Sequence, residues 1–314
     1  MQRRSFVHGV LASALGALLT ENPEVWAQET APSRLSEGRP SVTAQSTANL
    51  RAAHQLVDQP RIFDDPLALR IIGAQAEAAV RARAGKGPMA SFRPFVAVRS
   101  RYAEDELARA VQRGVRQYVV LGAGLDTFAY RNPYPVSRLR VFEVDHPATQ
   151  AWKRACLQNA GIAVPESLTF VAIDFETETL AGGLRQAGFK ATEPAFFSML
   201  GVVVYLTRDG AMNTLTFVAS LPSRTEIVFD YAIPPSTLSE SDRGRHDDVV
   251  RRAAARGEPW LTYFEPSTLA GALRGIGFTA VEDLGPDEIH ERYFKGRTDG
   301  LRLNGVARLL KAGR

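Results

Sequence analysis

Five short apolar runs that alternate with helical stretches between residues 117 and 232 constrain the fold of this chain more than any other feature. The runs read QYVVL, LRVFEVD, LTFVAID, PAFFSML and RTEIVFDYA. Strands that alternate with helices form a parallel sheet whose two faces are covered by those helices. We therefore predict an α/β fold with a doubly wound, Rossmann-like sheet that is mostly parallel, with an antiparallel last strand within GLRLNGVARLLKAG.

The chain of 314 residues is long enough for one large α/β domain, which we place at residues 43–314. Helical patterns begin at Thr43, and a second one opens with Asp65 as N-cap and Pro66 in its first turn and is expected to end at Gly85. The domain then divides into four parts, which are a helical cap at 43–114, a core at 115–233, an insertion at 234–264 and a carboxyl-terminal part of the sheet at 265–314.

The amino terminus differs from the rest of the chain. Residues 1–27 combine Arg3 and Arg4 with an apolar stretch at 6–19 and small residues before position 28, a layout that resembles a twin-arginine export leader. An amphipathic amino-terminal helix and a misassigned start codon are the alternatives. Residues 28–42 are rich in Pro, Ser, Glu and Arg and are predicted to be a linker. No later apolar run has the length that a membrane span requires.

The charge of the chain is dispersed along the sequence. A formal net charge of +4 and a pI near 9.3 are compatible with nucleic-acid binding, but basic residues stand beside acidic ones, as in SDRGRHDDVVRR. A solvated surface of mixed charge is the better interpretation, so we predict no nucleic-acid partner. The single cysteine, Cys156, excludes an internal disulfide, and no cluster of residues has the spacing of metal ligands, so we predict no metal site.

The turn after the first strand contains two glycines one residue apart, in the motif Gly122-Ala123-Gly124. Glycine adopts positive φ and lets a ligand approach the backbone, and ligands of doubly wound sheets bind at this place. Glu143 and Asp145 end the second strand 19 and 21 residues after Gly124, close to the spacing of a carboxylate that binds a ribose diol. We expect only one of the two to point at the ribose, on the argument that they alternate across the strand.

Two further sites along the chain indicate which adenosine ligand the turn binds. Asp174 and Phe175 end the third strand, where an acid beside an aromatic ring suits an adenine base. A dinucleotide motif would have a third glycine at position 127, but Thr127 stands there and Asp126 precedes it. The aspartate repels a pyrophosphate and attracts an ammonium group. The turn therefore favours S-adenosylmethionine, which has a cationic tail and no phosphate, over a nicotinamide or flavin dinucleotide.

These motifs resemble those of the leucine carboxyl methyltransferase family. The similarity is carried by RQYVVLGAGLDTFAYR, VFEVDHPATQAWKR, the acid after the third strand and LGVVVYLT, and it extends from about residue 46 to the end of the fifth strand. The resemblance implies a class I S-adenosylmethionine-dependent methyltransferase with a helical cap. Residues at matching positions of the motifs are also implied to contact the cofactor. Arg99 is expected at the methionine carboxylate, and Asp145, with Glu143 near it, at the ribose. The loop contacts are Gly122, Ala123, Gly124 and Asp126, and the contacts at the adenine end are Asp174 and Phe175.

Two features depart from the family pattern. Many members have a glutamate five residues before the tyrosine of the YL motif, whereas here Tyr205 is that tyrosine and Leu200 stands in place of the glutamate. The change removes one polar contact near the cofactor, and it bears on whether the family's best-known substrate, a carboxyl-terminal leucine carboxylate of a protein phosphatase, applies here. The predicted leader is the second departure, because the cofactor is made and kept in the cytoplasm. The cellular compartment of the protein therefore stays open. The sequence also leaves the oligomeric state open.

We predict methyl transfer to an oxygen of a small-molecule or other carboxylate acceptor, because an ionised carboxylate requires no general base. A hydroxyl acceptor would require one, and Tyr205, Asp230 and His246 are weak candidates for it. We expect Tyr205 to be a core residue and His246 to be exposed. Alternatives to this function are a nicotinamide-dependent enzyme and a binding protein without turnover. The aromatic residues of the insertion are expected to line the acceptor pocket: Trp260, Tyr263 and Phe264.

Overall fold

The computed structural model of the chain describes residues 40–83, 86–87, 90–174, 178–303 and 305–314. The predicted leader and most of the predicted linker lie outside these ranges. Within the described ranges, no helix combines the length and the apolar character needed to cross a membrane.

A sheet lies at the centre of the described structure. Its strands are β1 (Gln117–Leu121), β2 (Arg140–Asp145), β3 (Leu168–Ala172), β4 (Ala195–Met199), β5 (Glu226–Ala232), β6 (Ala280–Leu284) and β7 (Ala307–Gly313). They follow the order β3-β2-β1-β4-β5-β7-β6. The first five strands are parallel, and β7 pairs antiparallel with both β5 and β6. The predicted doubly wound and mostly parallel sheet with an antiparallel last strand is confirmed.

Helices cover both faces of this sheet. In the described residues they are α1 (Val42–Val57), α2 (Ala68–Ile71), α3 (Ala74–Arg83), α4 (Arg93–Gln112), α5 (Pro147–Asn159), α6 (Leu180–Gln186), α7 (Arg208–Ser220), α8 (Glu240–Ala254), α9 (Pro266–Gly275) and α10 (Pro286–Tyr293). One face packs against α4 and α10, and the opposite face packs against α6, α7 and α9. Such two-sided cover is what an almost entirely buried parallel sheet requires.

Strand β1 shows how alternation builds two cores from one segment. Tyr118 and Val120 join the apolar cluster on the α4 side, whereas Val119 and Leu121 join the cluster on the α7 side. Successive side chains of a strand point to opposite faces, so an unbroken apolar run serves both layers. Complete burial of each large apolar side chain contributes about 1.5–3 kcal/mol to folding.

The helical cap departs from the prediction at one place. The single helix expected over residues 65–85 is interrupted at Gly73, whose φ of +83° separates α2 from α3. The N-cap residue of α2 is Leu67 rather than Asp65. Oδ1 of Asp65 accepts a hydrogen bond from the backbone N–H of Leu67 at 3.0 Å, and its Oδ2 accepts hydrogen bonds from Arg51 and Thr127, each at 2.7 Å. The Asp65 carboxylate thus combines a local contact just before α2 with long-range contacts to Arg51 and Thr127. The predicted end of that helix lies outside the described residues.

The carboxyl-terminal part contains an element that the sequence pattern did not indicate. Helix α10 lies between β6 and β7 and begins with Pro286, and Glu288 Oε2 accepts a hydrogen bond from the backbone N–H of Gly285 at 2.9 Å. Strand β7 begins only at Ala307, so it is shorter than the run that predicted it. Proline in the first turn and an acid at the third helical position are helix-start signals that would have identified α10.

Candidate functional site

The chain makes a sharp turn directly after β1, at the carboxyl edge of the sheet. Gly122 and Gly124 have φ values of +65° and +43°, in the left-handed region that glycine adopts without a steric cost. The backbone N–H groups of Gly122 and Ala123 donate to the carbonyl of Val144 at 2.9 and 3.1 Å, which bends the turn towards β2. A Cβ at Gly122 would overlap Cγ2 of Val202. Glycine is therefore required both by the conformation and by the segment that follows β4.

Asp145, the last residue of β2, lies beside this turn. Its Oδ2 accepts a hydrogen bond from the backbone N–H of Gly124 at 2.6 Å, and its Oδ1 accepts one from the N–H of His146 at 2.7 Å. Burial raises the pKa of this carboxyl, and the two hydrogen bonds act in the opposite direction. A carboxylate at the end of β2 occupies the place where doubly wound sheets bind a ribose diol. The observed position of Asp145 is compatible with its predicted role.

Glu143 lies two residues before Asp145, so both side chains point to the same face of the sheet and the argument from alternation is wrong. The two residues differ instead in how deeply their side chains are buried. Glu143 is 1% exposed, and its carboxylate contacts Nζ of Lys153 at 2.7 Å and accepts a hydrogen bond from the Tyr130 hydroxyl at 3.1 Å. Burial raises the pKa of Glu143 to about 7, against the opposing charge of Lys153. Glu143 thus pairs with α5, and a cofactor contact by this residue stays a prediction.

The helical cap holds the residues that follow the turn. Asp126 accepts a hydrogen bond through Oδ1 from the backbone N–H of Phe128 at 2.8 Å, which orders the turn. Thr127, at the position of the missing third glycine, donates through Oγ1 to Asp65 at 2.7 Å. Arg51 of α1 donates both to Asp65 and to a backbone carbonyl of the turn. Sequence reasoning missed Arg51 because 74 residues separate it from that carbonyl, and no local pattern links the two.

The adenine end of the predicted site is described only in part. Asp174 follows β3 at the same edge of the sheet and is half-buried, and its backbone N–H donates to Oε2 of Glu178 at 3.1 Å. Phe175 lies outside the described residues. The adenine contacts of both residues therefore stay predictions.

Arg99 of α4 and Asp230 of β5 form a buried ion pair next to the end of β4. Nη1 of Arg99 lies 3.1 Å from Oδ2 of Asp230, and the two side chains are 6% and 8% exposed. Oδ1 of Asp230 accepts a hydrogen bond from the backbone N–H of Gly201 at 2.5 Å. A Cβ at Gly201 would lie 2.7–3.0 Å from the Arg99 guanidinium group, so glycine is what permits this close approach. The structure therefore joins a predicted cofactor residue and a candidate base in one contact.

A cleft opens beside this ion pair, between α1, α8 and the ends of β4 and β5. Tyr205 is half-buried and lines this cleft, so its prediction as a core residue is wrong. Burial raises the pKa of its hydroxyl. Trp260 of the insertion lines the cleft, as expected. The charged residues that line the cleft are Arg99, Asp230, Arg252 and Arg256.

The prediction that His246 is exposed is wrong, since this residue is 3% exposed. Its Nδ1 lies 2.8 Å from Oδ1 of Asp247, and its Nε2 lies 3.1 Å from the hydroxyl of Tyr263. Its ring packs against Trp260, with the ring centroids 5.7 Å apart. Phe264 is buried in the core on the α7 side rather than in the cleft. The many charged residues around His246 lie on the solvent side of α8. They made the one buried face of this helix difficult to recognise in the sequence.

The first turn of α1 covers the glycine turn. The Cβ atom of Ala44 lies 3.1 Å from the place that a Cβ on Gly124 would take. Glu258, near the end of the insertion, is 7% exposed and accepts hydrogen bonds from the backbone N–H groups of Val42 at 2.6 Å and Thr43 at 3.1 Å. The insertion and the cap are thereby joined at the turn. Sequence reasoning missed Glu258, because 216 residues separate it from Val42.

The chemistry of these residues fits S-adenosylmethionine. A glycine turn permits close approach of a ligand to the backbone, the Asp145 carboxylate can accept hydrogen bonds from ribose hydroxyls, and a buried cation and anion face one cleft. Among the described residues, no group of three or more His, Cys, Asp or Glu side chains is arranged to hold a metal ion.

Known proteins share sequence with this chain over most of its length. A family model described as leucine carboxyl methyltransferase matches residues 44–219. YktD of Bacillus subtilis, which is named as an S-adenosyl-L-methionine-dependent methyltransferase, is 34% identical over an alignment of 285 positions that covers 83% of this chain and 93% of YktD. FRAAL3718 of Frankia alni, named for the same activity, is 30% identical over 76% of this chain and 82% of its own length.

A solved structure shows the same fold. A duf574 family protein from Streptomyces avermitilis matches with a TM-score of 0.52 and 17% identity, over 84% of this chain and 100% of that chain. The sequence relatives favour the S-adenosylmethionine prediction over the nicotinamide alternative.

Proposed function

Because the chain belongs to the leucine carboxyl methyltransferase family and is an S-adenosylmethionine-dependent methyltransferase, we propose that it methylates a carboxylate oxygen of a small anionic acceptor. When bound, the cofactor supplies a methyl group on a positively charged sulfur. The protein then has to supply position, charge and a site that excludes water.

The charge of the cleft is the observation that carries this proposal. Arg252 and Arg256 line the cleft together with the Arg99–Asp230 ion pair, so cationic groups outnumber carboxylates there. A cleft of one charge attracts ligands of the opposite charge, and the planar guanidinium group matches a carboxylate with two parallel hydrogen bonds. Apolar groups share the lining, among them Phe92, Val204 and Trp260. The cleft therefore suits an acid with an apolar body.

The three candidates for a general base are all poorly placed to accept a proton from an acceptor substrate. Asp230 already accepts hydrogen bonds from Arg99 and from the backbone of Gly201. Burial raises the pKa of Tyr205, which keeps its hydroxyl protonated at neutral pH. Both ring nitrogens of His246 lie within hydrogen-bond distance of neighbouring polar side chains. An ionised carboxylate needs no proton removed before it is methylated, so this site suits a carboxylate acceptor better than a hydroxyl acceptor.

The remaining groups have binding roles in this proposal. The glycine turn and Asp145 bind the adenosine part of the cofactor, and Arg99 binds the carboxylate of its tail. The first turn of α1, held by Glu258, covers the glycine turn and excludes water from it. Fixing the donor and the acceptor in one geometry lowers the barrier without any proton transfer.

The proposal is tested with cofactor that carries a labelled methyl group. The full chain is incubated with a panel of small carboxylic acids and the matched primary alcohols. We expect label in a product that releases methanol on alkaline treatment, because methyl esters hydrolyse in base and methyl ethers do not. Label in a base-stable product would contradict carboxylate methylation.

The cleft arginines provide a matched pair of variants for the same assay. Arg252→Ala is expected to raise the KM for the acceptor about tenfold, the loss of one charge-assisted hydrogen bond, with unchanged affinity for S-adenosylhomocysteine. Arg251→Ala is the control, because the neighbouring Arg251 is 72% exposed and pairs with Asp248 at 3.0 Å. Equal effects of the two variants would argue against Arg252 as an acceptor contact.

A further inference from the structure

The Arg99–Asp230 ion pair is buried and yet lines the cleft. The two side chains are 6% and 8% exposed, and both contribute to the cleft wall. Removing two charges from water is costly, and a single hydrogen bond of 3.1 Å between them offsets only part of this cost. A ligand that carries one charge of each sign would satisfy the remaining donors and acceptors of the pair.

The geometry of the pair is fixed by its surroundings. Gly201 lies against the Arg99 guanidinium group, since a Cβ at this position would be 2.7 Å from Nη2. The backbone N–H of Gly201 also donates to Oδ1 of Asp230 at 2.5 Å. Each carboxylate oxygen has two acceptor sites, so Asp230 keeps acceptor capacity after these two hydrogen bonds. The pair therefore presents a positioned cation and a positioned anion side by side.

Other carboxylates are less suited to receive a cation from the cleft. Asp126, which the sequence suggests as the ammonium contact, orders the turn by accepting a hydrogen bond from Phe128. Position 200, at the end of β4, is occupied by Leu200, which packs against the core on the α4 side. Among the described residues that line the cleft, Asp230 is the one carboxylate.

We propose that Asp230 binds the α-ammonium group of the methionine portion of the cofactor, while Arg99 binds its α-carboxylate. An amino acid carries its two opposite charges on neighbouring groups, as the ion pair does, so the charges are complementary. Asp230 is then a cofactor-binding residue and not a general base. Binding of this tail does not depend on which acceptor is methylated.

The experiment is a calorimetric titration of the parent and of Asp230→Asn with four ligands. They are S-adenosylhomocysteine, its deaminated analogue, its decarboxylated analogue and 5′-methylthioadenosine, which lacks both charged groups. We expect Asp230→Asn to weaken the binding of S-adenosylhomocysteine and of the decarboxylated analogue about 10- to 100-fold, which corresponds to the loss of a charge-assisted hydrogen bond. Binding of the deaminated analogue and of 5′-methylthioadenosine is expected to be no weaker than in the parent.

Two outcomes would overturn the proposal. An equal loss for the deaminated analogue would mean that Asp230 acts only by holding Arg99 in place. An equal loss for all four ligands would mean that the variant damages the whole site. Asp287→Asn is the control, because Asp287 is an exposed carboxylate in the first turn of α10, and this variant should bind all four ligands as the parent does.

A second variant keeps the proposal testable if Asp230→Asn does not fold. The double variant Arg99→Gln/Asp230→Asn removes both charges together and leaves no unpaired buried guanidinium group. We expect it to bind S-adenosylhomocysteine no better than 5′-methylthioadenosine. A retained preference for S-adenosylhomocysteine would show that other residues bind the tail, whatever the acceptor proves to be.

Discussion

At the scale of a single residue, both the backbone conformation and a close contact require glycine at position 122. Its φ of +65° is strained for any residue with a Cβ, and the space that a Cβ would need is taken by Cγ2 of Val202. Gly161 has almost the same φ, +60°, but nothing lies within 4 Å of the place of its Cβ. The two glycines therefore separate the cost of the conformation from the cost of the contact.

We expect Gly161→Ala to lower the free energy of unfolding by about 1–2 kcal/mol, the cost of a left-handed backbone in a residue with a Cβ. Gly122→Ala should lower it further, because Val202 has to move, and should also weaken the binding of S-adenosylhomocysteine. Urea denaturation and calorimetric titration measure the two effects. Equal stability losses and unchanged binding in both variants would mean that the contact with Val202 is easily relieved.

At the scale of elements, the site depends on how α1 is held against the sheet. The carboxylate of Glu258 accepts hydrogen bonds from the first backbone N–H groups of α1, where the helix dipole also favours a negative charge. Ala44 in the same turn lies over Gly124. Movement of this helix start would uncover the glycine turn, so we expect Glu258 to link the insertion to access of the cofactor.

Glu258→Gln is expected to speed the dissociation of S-adenosylhomocysteine about tenfold, because an amide replaces a charged acceptor of several hydrogen bonds. Stopped-flow displacement measures this rate. Glu265→Gln is the matched control, since Glu265 accepts hydrogen bonds from the N–H groups of Ser267 and Thr268 at the exposed start of α9. Identical dissociation rates in the parent and in Glu258→Gln would show that α1 does not control release.

At the scale of the whole molecule, the strand order determines where the parts of the site meet. Strand β1 lies between β2 and β4, so the glycine turn stands between Asp145 on one side and Gly201 on the other. Helix α4 brings Arg99 to the same edge, and the insertion closes the cleft with Trp260. The site is thus assembled from segments that the chain reaches at widely separated points.

The buried pair of Glu143 and Lys153 connects the stability of the whole molecule to pH. Burial raises the pKa of Glu143 from its ordinary value of 4.5 to about 7. The folded state then binds the proton more tightly than the unfolded state, so this group stabilises the fold at low pH and the contribution is lost as the pH rises through about 7. The pair joins β2 to α5, so the titration of Glu143 affects global unfolding.

We expect the free energy of unfolding of the parent to fall between pH 5 and pH 7 relative to that of the double variant Glu143→Gln/Lys153→Met, which lacks the Glu143 carboxyl group and its partner amine. Urea denaturation of both proteins across this range measures the difference, and all other titrating groups are common to the two. A difference that does not change with pH would contradict a raised pKa for Glu143.

The sequence by itself determined the parts of this protein that depend on neighbours along the chain. Five apolar runs predicted the parallel strands, and the spacing of Gly122, Gly124 and Asp145 predicted that a turn and a carboxylate would meet at one edge, as they do. A helix start at α10 carried a readable signal that was missed. The strands and helix starts are local features, because backbone conformation is set by side chains within a few residues. The contact between Gly124 and Asp145 follows from the parallel pairing of β1 with β2.

Only the tertiary structure decided the contacts between distant segments. Arg99 meets Asp230 across 131 residues, and Glu258 meets Val42 across 216. The burial of His246 and the break at Gly73 also depend on what packs against those segments. Such contacts form when closing the chain brings together groups whose burial and pairing outweigh its lost entropy, and no local pattern encodes which groups will meet.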